Sequence, residues 1–326
     1  MYVLELAGQD DEFAAHEAES VASDVSRLAP GLVTARGLSD RFPNLAFTHR
    51  ASKLVGTTEP TAEHAQLLLS AASITREGSV AVRAEDVRST TGIDTQRVER
   101  LLGDQLVERG FAVDLDDPDH ELRALFSGDV CAMGWHVADT ERGFGTRRPS
   151  DRPYFQPGSM DPSLARALVN IAGARKDATI LDPMCGTGGI LIEAGLVGSR
   201  VIGLDVQEKM VRGTKVNLSD ALTGDWAVVR GDASSLPLRS ESIDAVVFDA
   251  PYGRQSKIEG DLETVLTETL GEAKRVTSRC VVVGDRPWSP VASAVGWTVE
   301  AVFERRVHRS LTRYVVTLSA RTGNDG

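Results

Sequence analysis

The amino-acid sequence predicts an α/β protein of two units, the second built on a parallel sheet that closes in an antiparallel hairpin. Three observations carry this. At 326 residues the chain exceeds one ordinary domain and suits two, each with its own core. The C-terminal half alternates short β-branched runs with stretches of helical spacing, as a parallel sheet covered by helices requires. The chain ends in two long runs, Trp297 to Val307 and Leu311 to Ser319, joined by His308-Arg309-Ser310. So short a connection implies an antiparallel pair.

The elements follow in order. In the first half, a strand from Tyr2 to Leu6 precedes a helix from about Glu12 to Leu28, with Asp10 or Asp11 as its cap. Strands fall near Leu45 to Val55 and Val80 to Val87, helices near Ala62 to Ala72 and Thr95 to Arg109. Two more strands, Glu121 to Phe126 and Val130 to Val137, lead into Asp139 to Arg152, whose Arg, Gly and Pro content reads as a linker. In the second half, strands are expected at Thr179 to Asp182, Arg200 to Asp205, Trp226 to Arg230, Ile243 to Asp249 and Arg279 to Gly284. Helices fit Pro162 to Ala172, Gly189 to Val197, Glu208 to Leu222 and Leu262 to Val276. Five parallel strands followed by an antiparallel hairpin is the arrangement of Rossmann-like methyltransferases, whereas dinucleotide dehydrogenases usually keep the sheet parallel.

Composition narrows the function. The chain is 41% hydrophobic without an apolar run near twenty residues, and Met1 to Leu6 has no signal-peptide core. A cytoplasmic protein without a membrane partner is expected. Cys131, Cys185 and Cys280 form no CxxC pair, so neither a disulfide framework nor a metal site is expected. A net charge of −11 argues against nucleic acid, which normally draws on Lys and Arg. Yet only six of the 36 basic residues are lysine, against 47 acids, a balance that resembles proteins of salt-loving organisms. In molar salt the screening length shrinks to about 3 Å, and net charge then says little about partners. An ordinary acidic enzyme with a small-molecule substrate fits the composition equally well.

The strongest local signal is Leu181-Asp182-Pro183-Met184-Cys185-Gly186-Thr187-Gly188-Gly189, a strand ending in a glycine-rich turn that opens a helix. A dinucleotide pyrophosphate would want G-x-G-x-x-G, but the third glycine is missing and Asp182 places a carboxylate there. That charge repels phosphate and suits the cationic methionyl end of S-adenosylmethionine. Asp205, ending the second strand, can accept from both ribose hydroxyls, and Asp232, in Gly231-Asp232-Ala233, from the adenine amine. Any one of these acids alone reads as well as a solvated strand end. Three at successive carboxyl ends, where open α/β sheets bind ligands, form a pattern. Cys185 has no general base nearby in the motif and reads as packing beside the cofactor rather than as a nucleophile.

The fourth strand runs into Asp249-Ala250-Pro251-Tyr252. An exocyclic amine conjugated to a base ring is a poor nucleophile, because its lone pair is delocalised. The Asp249 carboxylate and the Ala250 carbonyl can accept its two N–H hydrogens and favour a pyramidal nitrogen, while Tyr252 stacks on the base. The competing reading is a simple Pro-Tyr-Gly turn, which the upstream glycine loop disfavours. Upstream, Tyr154-Phe155-Gln156-Pro157-Gly158-Ser159-Met160 is either a further cofactor element or an ordinary helix entry with Asp161 as cap.

Taken together, Gln156 to Met160, Leu181 to Gly189, Asp249 to Arg254 and His308 to Tyr314 make the chain similar to the archaeal tRNA guanosine-10 N2-methyltransferases over nearly its whole length. The resemblance implies a ferredoxin-like segment at 1–52, a THUMP domain at 53–140, a linker at 141–153 and an S-adenosylmethionine-dependent methyltransferase domain at 154–322. Asp114 to Asp119 is the strongest THUMP-like piece. It also implies a cofactor site of Gln156, Pro157, Gly158, Asp182, Cys185, Gly186, Thr187, Gly188, Asp205, Asp232, Ala233 and Asp249. THUMP would grip the tRNA acceptor end while a monomer's catalytic domain reaches guanosine 10. One position departs: the usual Asp-Pro-Pro-Tyr is here Asp-Ala-Pro-Tyr, which keeps the carbonyl and loses the fixed φ of proline. Arginines of 142–152 and 305–313 are candidate phosphate contacts. Another guanine N2, an adenine N6, or an inactive tRNA-binding protein are the competing functions.

Overall fold

A computed structural model describes residues 1–251, 259–308 and 311–320 and divides the chain into two units, Met1–Glu141 and Arg142–Gly326. In the first unit, β1 (Tyr2–Leu6) leads to α1 (Asp11–Ala18), whose N-cap Asp10 accepts from Phe13 N–H at 3.1 Å. Here the structure corrects the expected helix to Leu28. Val21, Val25 and three serines follow Ala18, residues that favour strands or compete for backbone hydrogen bonds. Asp24 takes a positive φ of 51°, and the chain turns into β2 (Ala22–Ser23), β3 (Ser26–Ala29), β4 (Leu32–Ala35) and β5 (Gly37–Leu38). Pro30-Gly31, with Gly31 at φ +77°, makes the β3–β4 turn, a sequence suited to a type II turn.

The unit continues through β6 (Thr48–Thr58), α2 (Ala62–Ala71), β7 (Ser79–Asp86), α3 (Thr95–Glu108), β8 (Ala112–Val113), β9 (His120–Ser127) and β10 (Val130–Asp139). Eight strands form one sheet in the order β3-β4-β1-β6-β10-β9-β7-β8. Because β1 pairs with β6 from Tyr2↔Lys53 to Leu6↔Thr48, this sheet runs without a break through the segments 1–52 and 53–140. Val98, Leu102 and Leu106 of α3 and Ala65 and Leu69 of α2 are buried in one core with Val80, Leu122 and Phe126.

The expected linker is not free chain. Arg147 reaches the buried carboxylate of Glu193 at 3.0 and 3.2 Å, and Arg166 reaches it at 2.9 Å, fastening this stretch to the second unit. There α4 (Pro162–Ile171), β11 (Thr179–Asp182), α5 (Gly189–Leu196), β12 (Arg200–Asp205), α6 (Glu208–Ala221), β13 (Trp226–Arg230) and β14 (Ala245–Asp249) follow in order. Next come α7 (Glu259–Val276), β15 (Arg279–Gly284), α8 (Ser289–Ala294), which the sequence reading missed, β16 (Thr298–His308) and β17 (Leu311–Ser319). The sheet order is β13-β12-β11-β14-β15-β17-β16, with β11 to β15 parallel and β17 antiparallel to both its neighbours. Phe248, Val246, Leu181 and Val282 are buried in its core with Leu266 and Leu270 of α7. The order reverses between β11 and β14, and ligands of such sheets bind at the carboxyl ends beside that switch. Among the described residues no helix is long and apolar enough to cross a membrane.

Candidate active site

At that switch point lies a cavity of about 560 Å³. The glycine turn forms one wall. Cys185 N–H donates to Leu204 O at 2.8 Å and Gly188 N–H to Cys185 O at 2.7 Å, folding the chain back on itself. Gly186 takes φ +51° and Gly188 φ +82°, the left-handed region that favours glycine. Gly186, Thr187 and Gly189 border the cavity. Gly188, expected among the cofactor contacts, does not: it caps α5, and a Cβ there would stand 2.8 Å from Thr214 Cγ2.

Helix α6 holds this turn. Thr214 Oγ1 donates to Gly186 O at 2.6 Å. Asn217, 1% exposed, donates from Nδ2 to Thr187 O and to Tyr154 O, both at 2.9 Å, and accepts from Tyr154 N–H at 2.9 Å. The 154–160 segment is thereby tied to the glycine turn, and Ser159 Oγ adds a bond to Thr187 Oγ1 at 3.0 Å. Gln156, Pro157 and Gly158 line the cavity beside Met160. Sequence reasoning missed Thr214 and Asn217, although polar residues on the buried stripe of an amphipathic helix, with Met210, Val211 and Leu218, are a signal.

The acids fall where the strands end. Asp182 accepts from Met184 N–H at 3.0 Å and is otherwise enclosed. Burial, with the charges of Asp249 and Asp205, pushes its carboxyl well above the usual carboxylate range against that single bond. Asp205 accepts from Gly186 N–H at 3.0 Å on one oxygen and Gln207 N–H at 2.8 Å on the other. Burial raises its carboxyl despite those two bonds. Asp232 accepts from Ser234 N–H at 2.9 Å and Ser234 Oγ at 2.8 Å, bonds that lower its carboxyl. Cys185 also lines the cavity, its thiol raised far above its ordinary value by burial, so it packs there as an inert, protonated group.

Asp249, Ala250 and Pro251 border the same cavity. Ala250 N–H donates to Val283 O at 2.8 Å, extending the β14–β15 ladder one residue past Asp249. A proline at 250 has no N–H to give, so alanine replaces a fixed φ by a ladder bond. Tyr252 lies outside the described residues, as do Arg309 and Ser310. Of the arginines considered for phosphate, Arg148 is exposed and Arg147 is engaged with Glu193. Arg313 is not at the surface: it is buried, with Nη2 at 3.4 Å from Asp249 Oδ2.

The cavity therefore offers Asp182, Asp205, Asp232 and Asp249, while none of the described residues bordering it is Arg, Lys or His. S-adenosylmethionine fits this wall. Its cationic end suits the enclosed Asp182, and the oxygens of Asp205 keep lone pairs for two ribose hydroxyls. Asp232 can accept from an adenine amine, and the open space at Gly158 and Gly186 admits close approach to their backbone. Among the described residues no group of three or more His, Cys, Asp or Glu is arranged to hold a metal ion.

Fold and site together define a THUMP-bearing, S-adenosylmethionine-dependent methyltransferase. The profile of the RMKL-like methyltransferase domain matches residues 149–315, and that of the THUMP domain matches residues 60–135. The tRNA (guanine(10)-N2)-dimethyltransferase of Methanothermobacter thermautotrophicus is 35% identical over 280 residues, 83% of this chain and 82% of that protein. Its namesake in Pyrococcus abyssi is 29% identical over 98% of this chain and 100% of that protein. In Methanocaldococcus jannaschii the figures are 34%, 69% and 65%. The chain belongs to the archaeal tRNA (guanine(10)-N2)-methyltransferase family.

Proposed function

We propose that this protein methylates the exocyclic N2 of guanosine 10 in tRNA, giving N2-methyl- and N2,N2-dimethylguanosine. The observation that carries the proposal is the Asp249-Ala250 pair at the end of β14, opening onto an acidic cavity in a chain 35% identical to an enzyme named for that reaction. When bound, S-adenosylmethionine supplies an electrophilic methyl group on a sulfonium. The glycine turn, Gln156 to Gly158, Asp205 and Asp232 hold and orient it, and Asp182 faces its cationic end. The Asp249 carboxylate and the Ala250 carbonyl accept the two amine hydrogens and turn the nitrogen lone pair out of the ring plane. As positive charge builds on nitrogen these acceptors stabilise it, and Asp249 or water takes the released proton. Tyr252 stacks on the base. The THUMP domain holds the acceptor end, and the protein acts as a monomer.

Labelled methyl transfer to a tRNA transcript carrying guanosine 10, beside one with adenosine there, tests the assignment. Label in the first alone is expected. Equal labelling of both would move the target to another guanine or to an adenine amine. Asp249→Ala is expected to abolish transfer while S-adenosylhomocysteine still binds, and full activity in that variant would remove Asp249 from the chemistry. An acceptor-stem minihelix is expected to compete with tRNA, and failure to compete would place the THUMP contact elsewhere.

A further inference from the structure

Arg313 lies near the start of β17. Because β17 runs antiparallel to β15, its first residues arrive where the parallel strands end, and Tyr314 stands opposite Gly284 while Val283 stands opposite Asp249. The Arg313 side chain is 4% exposed, and its Nη2 lies 3.4 Å from Asp249 Oδ2 and 3.2 Å from Gly158 O. One guanidinium thus links the end of β14 to the 156–160 segment. Across the hairpin Arg313 faces Arg305, a pairing of like charges that costs stability in a sheet unless something else rewards it. The other titratable acids at the cavity among the described residues are Asp182, Asp205 and Asp232; the negative charge of Asp249 works against ionisation of the buried Asp182, and no described residue bordering the cavity is a base.

We infer that Arg313 is the positioning residue of the methyl-transfer reaction: it keeps Asp249 ionised among its acidic neighbours and fixes the direction of its carboxylate. This rests on the assignment of Asp249 as an acceptor for the base amine. An opposite charge at this distance favours the ionised form of a carboxyl. Asp249 must be unprotonated to accept two N–H groups in company with Ala250, so the acid limb of the reaction reports its ionisation.

The test is the pH profile of single-turnover methyl transfer in Arg313→Met, Arg313→Gln and Arg313→Lys, with S-adenosylhomocysteine binding measured alongside as a check on the folded site. In either neutral variant that binds S-adenosylhomocysteine, the acid limb is expected to move up by about one pH unit or more. The rate at neutral pH should fall about ten- to a hundredfold while KM for tRNA holds. Arg313→Lys is expected to return the limb to its wild-type position. An unmoved limb in a folded neutral variant would overturn the inference, as would a limb that lysine leaves displaced. Asp249→Ala separates the two layers: if that variant is inactive and Arg313→Met is wild-type, only the role of Arg313 falls, whereas an active Asp249→Ala removes both.

Discussion

Asp182 sits at the end of β11 with 2% of its surface exposed and one backbone hydrogen bond. Its folded carboxyl is raised, so the native state keeps a proton that the unfolded chain has released above its ordinary value of 3.8. Stability without cofactor therefore falls as pH rises from there toward the folded value. Asp182→Asn is expected to melt higher than wild type, by a margin that widens as pH increases from about 4, and to bind the cofactor more weakly. Melting curves across pH and S-adenosylhomocysteine titrations check both halves. Ala250 makes a second case. Ala250→Pro removes the donor to Val283 O and leaves a buried carbonyl unpaired, a loss of about 1–3 kcal/mol, against about 0.4–1 kcal/mol gained by stiffening the unfolded chain. A lower denaturation midpoint is expected, and an unchanged one would mean that the ladder bond contributes nothing. Most candidate site residues were legible because they sit in two contiguous motifs at strand ends. Arg313 was not: its place beside Asp249 depends on β17 inserting between β15 and β16, a pairing of residues 64 apart in sequence that local pattern does not encode.

Helix α6 acts as a clamp on the two segments that border the cavity, the glycine turn and the 154–160 stretch. Asn217→Ala deletes three hydrogen bonds at once and is expected to cost about 1–3 kcal/mol. Cofactor affinity should fall more than affinity for tRNA, and the two can be titrated separately. One turn away, a Cβ on Gly213 would stand 2.1 Å from the Tyr154 ring, so Gly213→Ala must displace the segment that Asn217 ties down. The same clustering of loss in cofactor affinity is expected, and a variant with unaltered affinity would show that the 154–160 segment need not be held. At this scale the parallel strands were readable almost to the residue, since β-branched runs broken by helical spacing leave little choice. The helix drawn to Leu28 failed where Ala-rich apolar spacing continued past Ala18 into a Pro30-Gly31 turn. The turn residues were the better guide there, because Pro presets one turn dihedral and Gly supplies the positive φ.

For the whole molecule, a surplus of acids over bases and thirty arginines beside six lysines predict an enzyme built for salt. Melting temperature and methyl transfer should both rise with KCl into the molar range, as screening relieves self-repulsion. A maximum in dilute buffer would contradict the prediction. The eight-stranded sheet of the first unit has a practical consequence. Residue 53 lies within β6, whose neighbours are β1 on one side and β10 on the other. Any shortened chain that begins there splits a strand and strips β1 from its flank. The row of backbone donors and acceptors left bare is a template for other chains, so such a fragment should aggregate while residues 1–141 remain dispersed. The first unit is therefore expected to fold, and to be expressed, as one piece.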